Sequence, residues 1–580
     1  MNERQPHSRP SRRAPFHNTR SLAPSQTMLA HVHIDDTPLH DAHHKAPPLH
    51  DAHLKAPPLN DTHLKATPLH DAPMKATHLK ATPLFEAQAY PRSASPKIER
   101  REDLVVHGHP GLVAAPGEWV RALGNMEMFM QIGGEYGSLN TVQALWLSST
   151  APIRPEDVRD AVNAVAEKNH VLQLCVVWRG VRAWFRRMEQ LVVDFAVESQ
   201  DAMSAFYALL QMKYNFAQGP LWRARLVPSL QKSADGRHEA VLIVSAHHCI
   251  TDGLTNMLIC RDIMHVLNAT MTGAMYDVPT RTVIPAISDS LHARTDWWYS
   301  LKYFWKKLYG TFIRDYGSKL YFRGILPQPS TDEAATRILH EQLTADNTKK
   351  LVQRCREAGV TVHSCVSAIA YVAMFRVAQQ RVKGKLDEAV VNLSNCVNMR
   401  RYFNPANKES PGCHIALEEK EFLVRSSDGA TRDNFWAFAK RVHEHLHNSL
   451  NVEHYPIKNC SVYIPLAFIM CANHELTRRA RKNLTDCHVI TTNMGNLQHL
   501  LPSHYGDGPV EISSLLRSVS SELVGHPCTL TFHTFRGRFM ISLDYFTNKM
   551  TDDVASQYFS NMTGYINNLI AVGAIERQVA

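Results

Sequence analysis

Ser245-Ala246-His247-His248-Cys249-Ile250-Thr251-Asp252-Gly253-Leu254 is the stretch on which the reading of this chain turns. It closes a near-continuous apolar run, residues 240–246, that reads as a central strand covered on both faces. Consecutive strand side chains point to opposite faces, so His247 and His248 cannot both address one substrate and at most one is the working imidazole. Asp252-Gly253 ends the loop, glycine permitting a tight backbone, and residues 254–267 begin a dense apolar helix. A histidine held on the rim between a buried strand and a helix start can present one ring nitrogen to a cleft. Asp252, four residues on, can hold that loop electrostatically. Other readings of the same residues are two satisfied core histidines, or a metal pair, for which His248 and Asp252 lack a further ligand at metal spacing. Cys249 as a nucleophile would need its own base and a side chain facing the cleft.

Working outward, Pro155 opens a helix with Val158, Ala161, Val162, Val165 and Ala166 at helical spacing. Residues 171–178 read as a strand paired with 183–188 across Arg179-Gly180-Val181-Arg182. Gly219-Pro220 punctuates before a strand at 221–227. After an irregular stretch containing Pro279, Pro285, Pro327 and Pro329, Thr344 caps a helix that runs through Cys355 and ends at Gly359. A helix is expected over 366–377. Residues 389–400 alternate as a half-buried strand, with Val391, Leu393, Val397 and Met399 on one face and Asn392, Ser394, Asn398 and Arg400 on the other. Arg536-Gly537 turns a hairpin whose return strand sends Phe539, Ile541, Leu543 and Tyr545 one way. Thr551 or Asp552 starts a last helix carrying Val554, Tyr558, Tyr565 and Leu569. The fold class is α/β (α+β).

His247-His248-Cys249-Ile250-Thr251-Asp252-Gly253 has the form HHxxxDG and resembles the signature of the chloramphenicol-acetyltransferase-like superfamily, which includes condensation domains, alcohol acetyltransferases and polyketide-associated acyltransferases. Gly219-Pro220-Leu221-Trp222-Arg223, Ala358-Gly359-Val360-Thr361-Val362, Val397-Asn398-Met399-Arg400-Arg401 and Thr492-Asn493-Met494-Gly495 resemble further family segments in the same order, over roughly residues 119–570. The resemblance implies two similar lobes around a central tunnel: residues 111–270 with the motif, a connection at 271–335, and a second lobe at 336–580. It implies direct acyl transfer with His248 as general base, Asp252 turned from substrate toward an arginine, for which Arg400 is one candidate, and Gly253 serving the turn, with His247 in support. For the oxyanion it points to Thr492 or Asn493, the latter equally readable as a strand cap. The co-substrate is acyl-CoA, with no bound cofactor and no metal, and the other partner is a small-molecule acceptor with a hydroxyl or, less favoured, an amine. The plant-type DFGWG element is absent, as are carrier-protein and adenylation signatures. Alternatives from other classes are a carrier-protein-dependent condensing enzyme and a non-catalytic binding protein that retains the fold.

The length, 580 residues, exceeds what one core serves, and with 44% apolar and 20% charged residues the bulk is an ordinary globular composition. The first hundred residues hold 12 of the 33 histidines and 13 Lys or Arg against 9 Asp or Glu. Almost half of the net charge of +9 therefore sits there, and the remainder is too thin to argue for nucleic acid. From His40 a ten-residue unit, HDAHHKAPPL, repeats and decays; its prolines forbid continuous helix, so residues 1–110 are expected to be a disordered arm. His43, His44, His53 and His63 suggest metal capture, but ligands ten apart on a flexible arm are costly to order, which favours a repeat without that role. No run of 18 apolar residues occurs, and the 11 cysteines form no CxxC pair, so a cytoplasmic location is expected, with Arg4, Arg9, Arg12, Arg13 and Arg20 leaving a mitochondrial presequence as the alternative. Residues 297–309 mix tryptophans and tyrosines with lysines and suit either peripheral membrane contact or a crossover helix.

Overall fold

The computed structural model describes residues 111–571 apart from 136–138, 181, 230, 288–334 (where only 301, 302 and 305 are described), 461–487 and 522–525. The histidine-bearing arm lies outside the described residues. Of the segment 297–309, Leu301, Lys302 and Trp305 are described; all three are helical and exposed.

The first lobe is a five-stranded sheet in the order β12 (Val510–Val519), β2 (Asn140–Ser149), β7 (His238–His247), β6 (Trp222–Pro228), β5 (Phe195–Val197). The apolar run of the sequence is β7, central and buried along its length from Ala240. One face of the sheet is covered by α2 (Pro155–Lys168) and α4 (Gly253–Thr272), the other by α3 (Ala202–Gln211). Helix α2 opens with Pro155, whose missing amide costs nothing there, and turns the predicted stripe of Val158, Ala161, Val162 and Val165 into the core. Helix α4 stops where Gly273 adopts φ +70, the left-handed conformation that glycine takes without strain. A smaller sheet, β1 (Trp119–Ala122), β4 (Arg182–Arg187) and β3 (Leu174–Arg179), flanks this lobe, and α1 (Asn125–Glu135) follows β1. The strand expected from Val171 starts only at Leu174. His170–Gln173 is a 3-10 turn, because the Gln173 amide donates to the Ala166 and Glu167 carbonyls at 2.9 and 2.8 Å and so caps the end of α2.

The second lobe is a six-stranded mixed sheet in the order β10 (Ile415–Arg425), β9 (Glu388–Asn398), β11 (Val489–Asn496), β13 (Cys528–Phe535), β14 (Arg538–Phe546), β8 (Thr336–Gln342). Its helices are α5 (Ala345–Glu357), α6 (Val362–Arg381), α7 (Arg432–Asn451), the short α8 (Tyr455–Cys460) and α9 (Asp552–Ile570). Thr344 caps α5 by accepting from the Asn347 amide, and Gly359 with φ +69 ends that turn. Val391, Leu393, Leu530, Phe532, Ile541 and Leu543 pack on α6, α7 and α9. Helix α6 is long and apolar enough to cross a membrane by length and composition, and it lies inside the lobe, buried on nearly all sides. Strand alternation places Thr529, Thr531, His533, Ser542 and Asp544 on the opposite face, and they too are buried.

Two expectations change. The strand at 389–400 ends at Asn398; Met399–Tyr402 is a 3-10 turn capped by the Asn398 side chain, which accepts from the Arg400 amide, so Arg400 leaves the strand register and turns back across the lobe boundary. The stretch expected to stay wholly in the second lobe sends β12 into the first, where Val510–Val519 pairs antiparallel with β2. That pairing covers the outer edge of β2 and gives β12 two faces to bury: Leu515 packs on the α4 side and Leu516 on the α3 side. We expect Leu515→Ala and Leu516→Ala each to cost about 2–5 kcal/mol in denaturant unfolding. Hydrogen exchange should show the loss in β2, where Leu515 pairs with Leu145, and in the adjacent β7 as strongly as in β13.

Candidate active site

Asp252 stands at the N-cap of α4, where its Oδ1 accepts from the Thr255 amide at 2.9 Å. Its other oxygen, Oδ2, accepts from Arg400 Nη1 at 2.6 Å and from the His414 amide at 2.9 Å. Both side chains are almost fully buried, Asp252 at 1% and Arg400 at 2% exposure. The remaining guanidinium donors are taken as well: Nε by the Ser410 carbonyl at 2.8 Å, Nη2 by Thr255 Oγ1 at 2.9 Å and the Gly412 carbonyl at 3.2 Å. Thr255 Oγ1 in turn donates to the Gly412 carbonyl and accepts from its amide. The first lobe's loop and the second lobe's 410–414 segment are thus stitched by one closed network. Burial by itself would raise the Asp252 carboxyl, but the charge and hydrogen bond of Arg400, with His414 and the Thr255 amide, outweigh it and hold it at about 2.

His248 follows the last residue of β7, and its backbone amide still donates to the Leu139 carbonyl at 2.9 Å. Its ring Nδ1 lies 2.8 Å from the Thr251 carbonyl. A carbonyl only accepts, so Nδ1 carries the proton and the neutral ring keeps its lone pair on Nε2. Burial lowers the His248 pKa, more than the neighbouring backbone bonds and the Asp252 charge raise it, and the charge of Arg517 lowers it a little further. The ring is therefore neutral at pH 7. His247 differs in every respect. It is buried against the edges of Phe216 and Tyr214, and its Nδ1 accepts from the Cys249 amide at 3.1 Å. A Cβ on Gly134 of α1 would come within 2.1 Å of His247 Nε2, so a glycine is required where this helix crosses the ring. At Gly253 a Cβ would meet Met494 Sδ at 2.6 Å, which brings the end of β11 against the same loop.

A family model described as alcohol acetyltransferase matches residues 186–461. No curated protein matches the sequence. Among solved structures the chain is similar to the trichothecene 15-O-acetyltransferase TRI3 of Fusarium sporotrichioides, with a TM-score of 0.59, 12% identity, and 80% of this chain and 99% of that one covered. It is also similar to polyketide synthase associated protein 5 of Mycobacterium tuberculosis (TM-score 0.53, 12% identity, 80% and 100% covered) and to the first condensation domain of the CDA synthetase (0.51, 13%, 78% and 96%). Residues 186–461 are thus similar to alcohol acetyltransferases, and the fold is that of the chloramphenicol-acetyltransferase-like proteins. It shares with them a mixed α/β fold of two lobes.

Thr492 and Asn493, the two oxyanion candidates, stand in different surroundings. Asn493 Oδ1 accepts from the Gly495 amide at 2.7 Å, capping the end of β11. Thr492 is half-buried on the side of β11 that also carries Met494, and its hydroxyl has no hydrogen-bond partner among the described residues. Cys249 packs in the first lobe's core, and burial pushes its thiol far above the ordinary range, so it does not form a thiolate there. Among the described residues no group of three or more His, Cys, Asp and Glu could hold a metal ion. Sequence reading missed the Ser410-Pro411-Gly412-Cys413-His414 segment, where Cys413 Sγ lies 3.8 Å from His248 Nδ1. The only local signal is Pro411-Gly412, which marks a turn without saying what it cups. It also missed Arg517, which closes on Gly253 from β12.

Removing one partner of a buried pair strands the other. Asp252→Asn, which keeps the cap acceptor, and Arg400→Met are each expected to cost ~3–5 kcal/mol in chemical denaturation, with the double variant losing clearly less than the sum. Asp252 also makes stability acid-sensitive. A carboxyl depressed in the folded state contributes above its unfolded range near pH 4 and ceases to do so as pH falls toward 2, an effect of about 2 kcal/mol. Denaturation of Asp252→Asn across that window should show this part of the acid slope missing.

Proposed function

We propose that this chain transfers an acyl group from acyl-CoA to the hydroxyl of a small-molecule acceptor, with His248 as general base. The observation that carries the reading is the Nδ1 contact to the Thr251 carbonyl, which leaves a neutral imidazole with an available Nε2 at the end of a buried strand, on a loop locked by Asp252 and Arg400. The match to an alcohol acetyltransferase model and the O-acetyl transfer in the name of TRI3 support hydroxyl over amine acceptors.

Nε2 accepts the hydroxyl proton as the acceptor oxygen attacks the thioester carbonyl. The tetrahedral oxyanion takes a hydrogen bond from the Thr492 hydroxyl. On collapse the C–S bond breaks, the imidazolium returns its proton to the departing sulfur, and free CoA and an ester leave. No acyl-enzyme forms. General-base action of this kind is worth about 10²–10⁴-fold, and the rest comes from holding both substrates and from the oxyanion donor. Asp252 does not act on the substrate: both of its oxygens are spent on the lobe network.

His248→Ala is expected to cut CoA release from acetyl-CoA with an alcohol panel by about 10²–10⁴-fold while the protein keeps its folded circular dichroism. Turnover unchanged in that variant removes the assignment, and turnover only with a loaded carrier protein reassigns the donor. Because burial lowers the His248 pKa, the acid limb of kcat/KM should fall below pH 6.5. Thr492→Val should reduce kcat by about 10²-fold with little change in KM, and Asn493→Ala should not.

A further inference from the structure

Five arginines are buried among the described residues, and four of them are paired with carboxylates. Arg121 meets Glu127 at 2.7 Å, Arg225 meets Asp194 at 2.8 Å, Arg281 meets Asp262 at 2.9 Å and Arg400 meets Asp252 at 2.6 Å. The fifth, Arg517 on β12, is 7% exposed and has no carboxylate within 4.0 Å among the described residues. Its Nε and Nη1 have no hydrogen-bond partner among the described residues. Burial lowers its pKa to about 10, so it remains a cation at neutral pH.

Its position matters as much as its lack of partners. Arg517 Nη2 stands 3.3 Å from where a Cβ on Gly253 would lie, against the loop that carries His248 and next to Met494 of β11. Gln143, directly opposite Arg517 in the β2–β12 pairing and so on the same face, has an unpartnered buried Oε1, as Asn256 of α4 has an unpartnered Oδ1. The other groups whose charge acts on or answers to Arg517 are Cys260, Cys396, His533 and Asp544. Asp544, the one acid among them, is pushed up to about 7 by burial, and its Oδ2 is taken by the Val519 amide at 3.2 Å. A guanidinium matches a carboxylate in shape and charge, and a buried one without a counter-ion is strongly disfavoured until an anion arrives. Nearby carbonyl oxygens that only accept suit hydroxyl groups.

We propose that Arg517 binds the carboxylate of the acyl acceptor, so that the acceptor is a hydroxycarboxylic acid that offers its hydroxyl to His248 and its carboxylate to Arg517. The contrast between the two arginines that flank the motif loop supports this. Arg400 is closed by the protein's own groups and holds the lobes together, whereas Arg517 is left open on the same loop. The proposal rests on the acyltransferase reading above and narrows its acceptor to a chemical class.

The test uses the full chain and two independent measurements. In the first, carboxylates from acetate to hexanoate are compared with chloride at equal ionic strength for their effect on thermal unfolding. At least one should raise the Tm of the wild type, Arg517→Lys should retain part of the shift and Arg517→Gln should lose it. No shift with any carboxylate, or one equal in Arg517→Gln, overturns the proposal whatever the protein catalyses. In the second, CoA release from acetyl-CoA is followed with 3-hydroxybutyrate, 4-hydroxybutyrate and 6-hydroxyhexanoate against their methyl esters. The wild type should favour an acid by about tenfold or more in kcat/KM, and Arg517→Gln should erase the preference through KM. Esters preferred throughout would overturn the carboxylate class and leave the acyltransferase reading intact; loss of transfer to all acceptors in His248→Ala alone tests that reading separately.

Discussion

The pairing of Asp252 with Arg400 is the constraint on which the rest of the structure depends. Two opposite charges at 2.6 Å, both out of water, are tolerable only because every remaining donor and acceptor is satisfied by Thr255, Ser410, Gly412 and the His414 amide. That requirement fixes several things at once. It starts α4 at Gly253, holds the 410–414 segment of the second lobe on the motif loop, and leaves the loop a single way to run between β7 and α4. His248, the first residue after the strand, takes its orientation from that loop through the carbonyl of Thr251.

The chemistry then follows from how the two sheets use their faces. The second sheet buries Leu530, Phe532, Ile541 and Leu543 against its helices, and by the same two-residue period turns Thr531, His533, Ser542 and Asp544 the other way. Strand β12 runs beside that polar face as a member of the first sheet, with the Val519 amide on Asp544. An ordinary core would make both faces apolar. This face is buried and polar instead, and among the described residues Arg517, Gln143 and His533 carry atoms on it without hydrogen-bond partners, which is the ground for the proposed acceptor site. Burial beside it lowers the His248 pKa and favours the neutral ring that the proposed base role requires.

The local parts of this arrangement were legible in the sequence. The β7 strand, the α4 start, the Thr344 and Gly359 boundaries of α5 and the Arg536-Gly537 hairpin all rest on short-range rules of period, cap and turn. Where the reading slipped, a side chain had intervened. Gln173 turned from a strand pattern to cap α2, and Asn398 ended β9 two residues early by capping the turn that carries Arg400. Alternation at 389–400 was real, but period alone does not see a side chain reaching its own backbone.

The sequence by itself determined that a histidine would sit between a buried strand and a helix start and that Asp252-Gly253 would end the loop between them, because those facts depend on neighbours a few residues apart, while the two lobes were implied by the resemblance of motifs spread along the chain. Only the tertiary structure decided which histidine kept an accessible nitrogen, that Arg400 and not another arginine would answer Asp252, that β12 would cross into the first sheet, and that Arg517 would arrive at Gly253 with no carboxylate within 4.0 Å among the described residues. Each of these joins groups separated by 148 residues or more in the chain or depends on which of two adjacent rings the packed core consumes, and such outcomes are set by long-range burial and charge pairing rather than by local pattern.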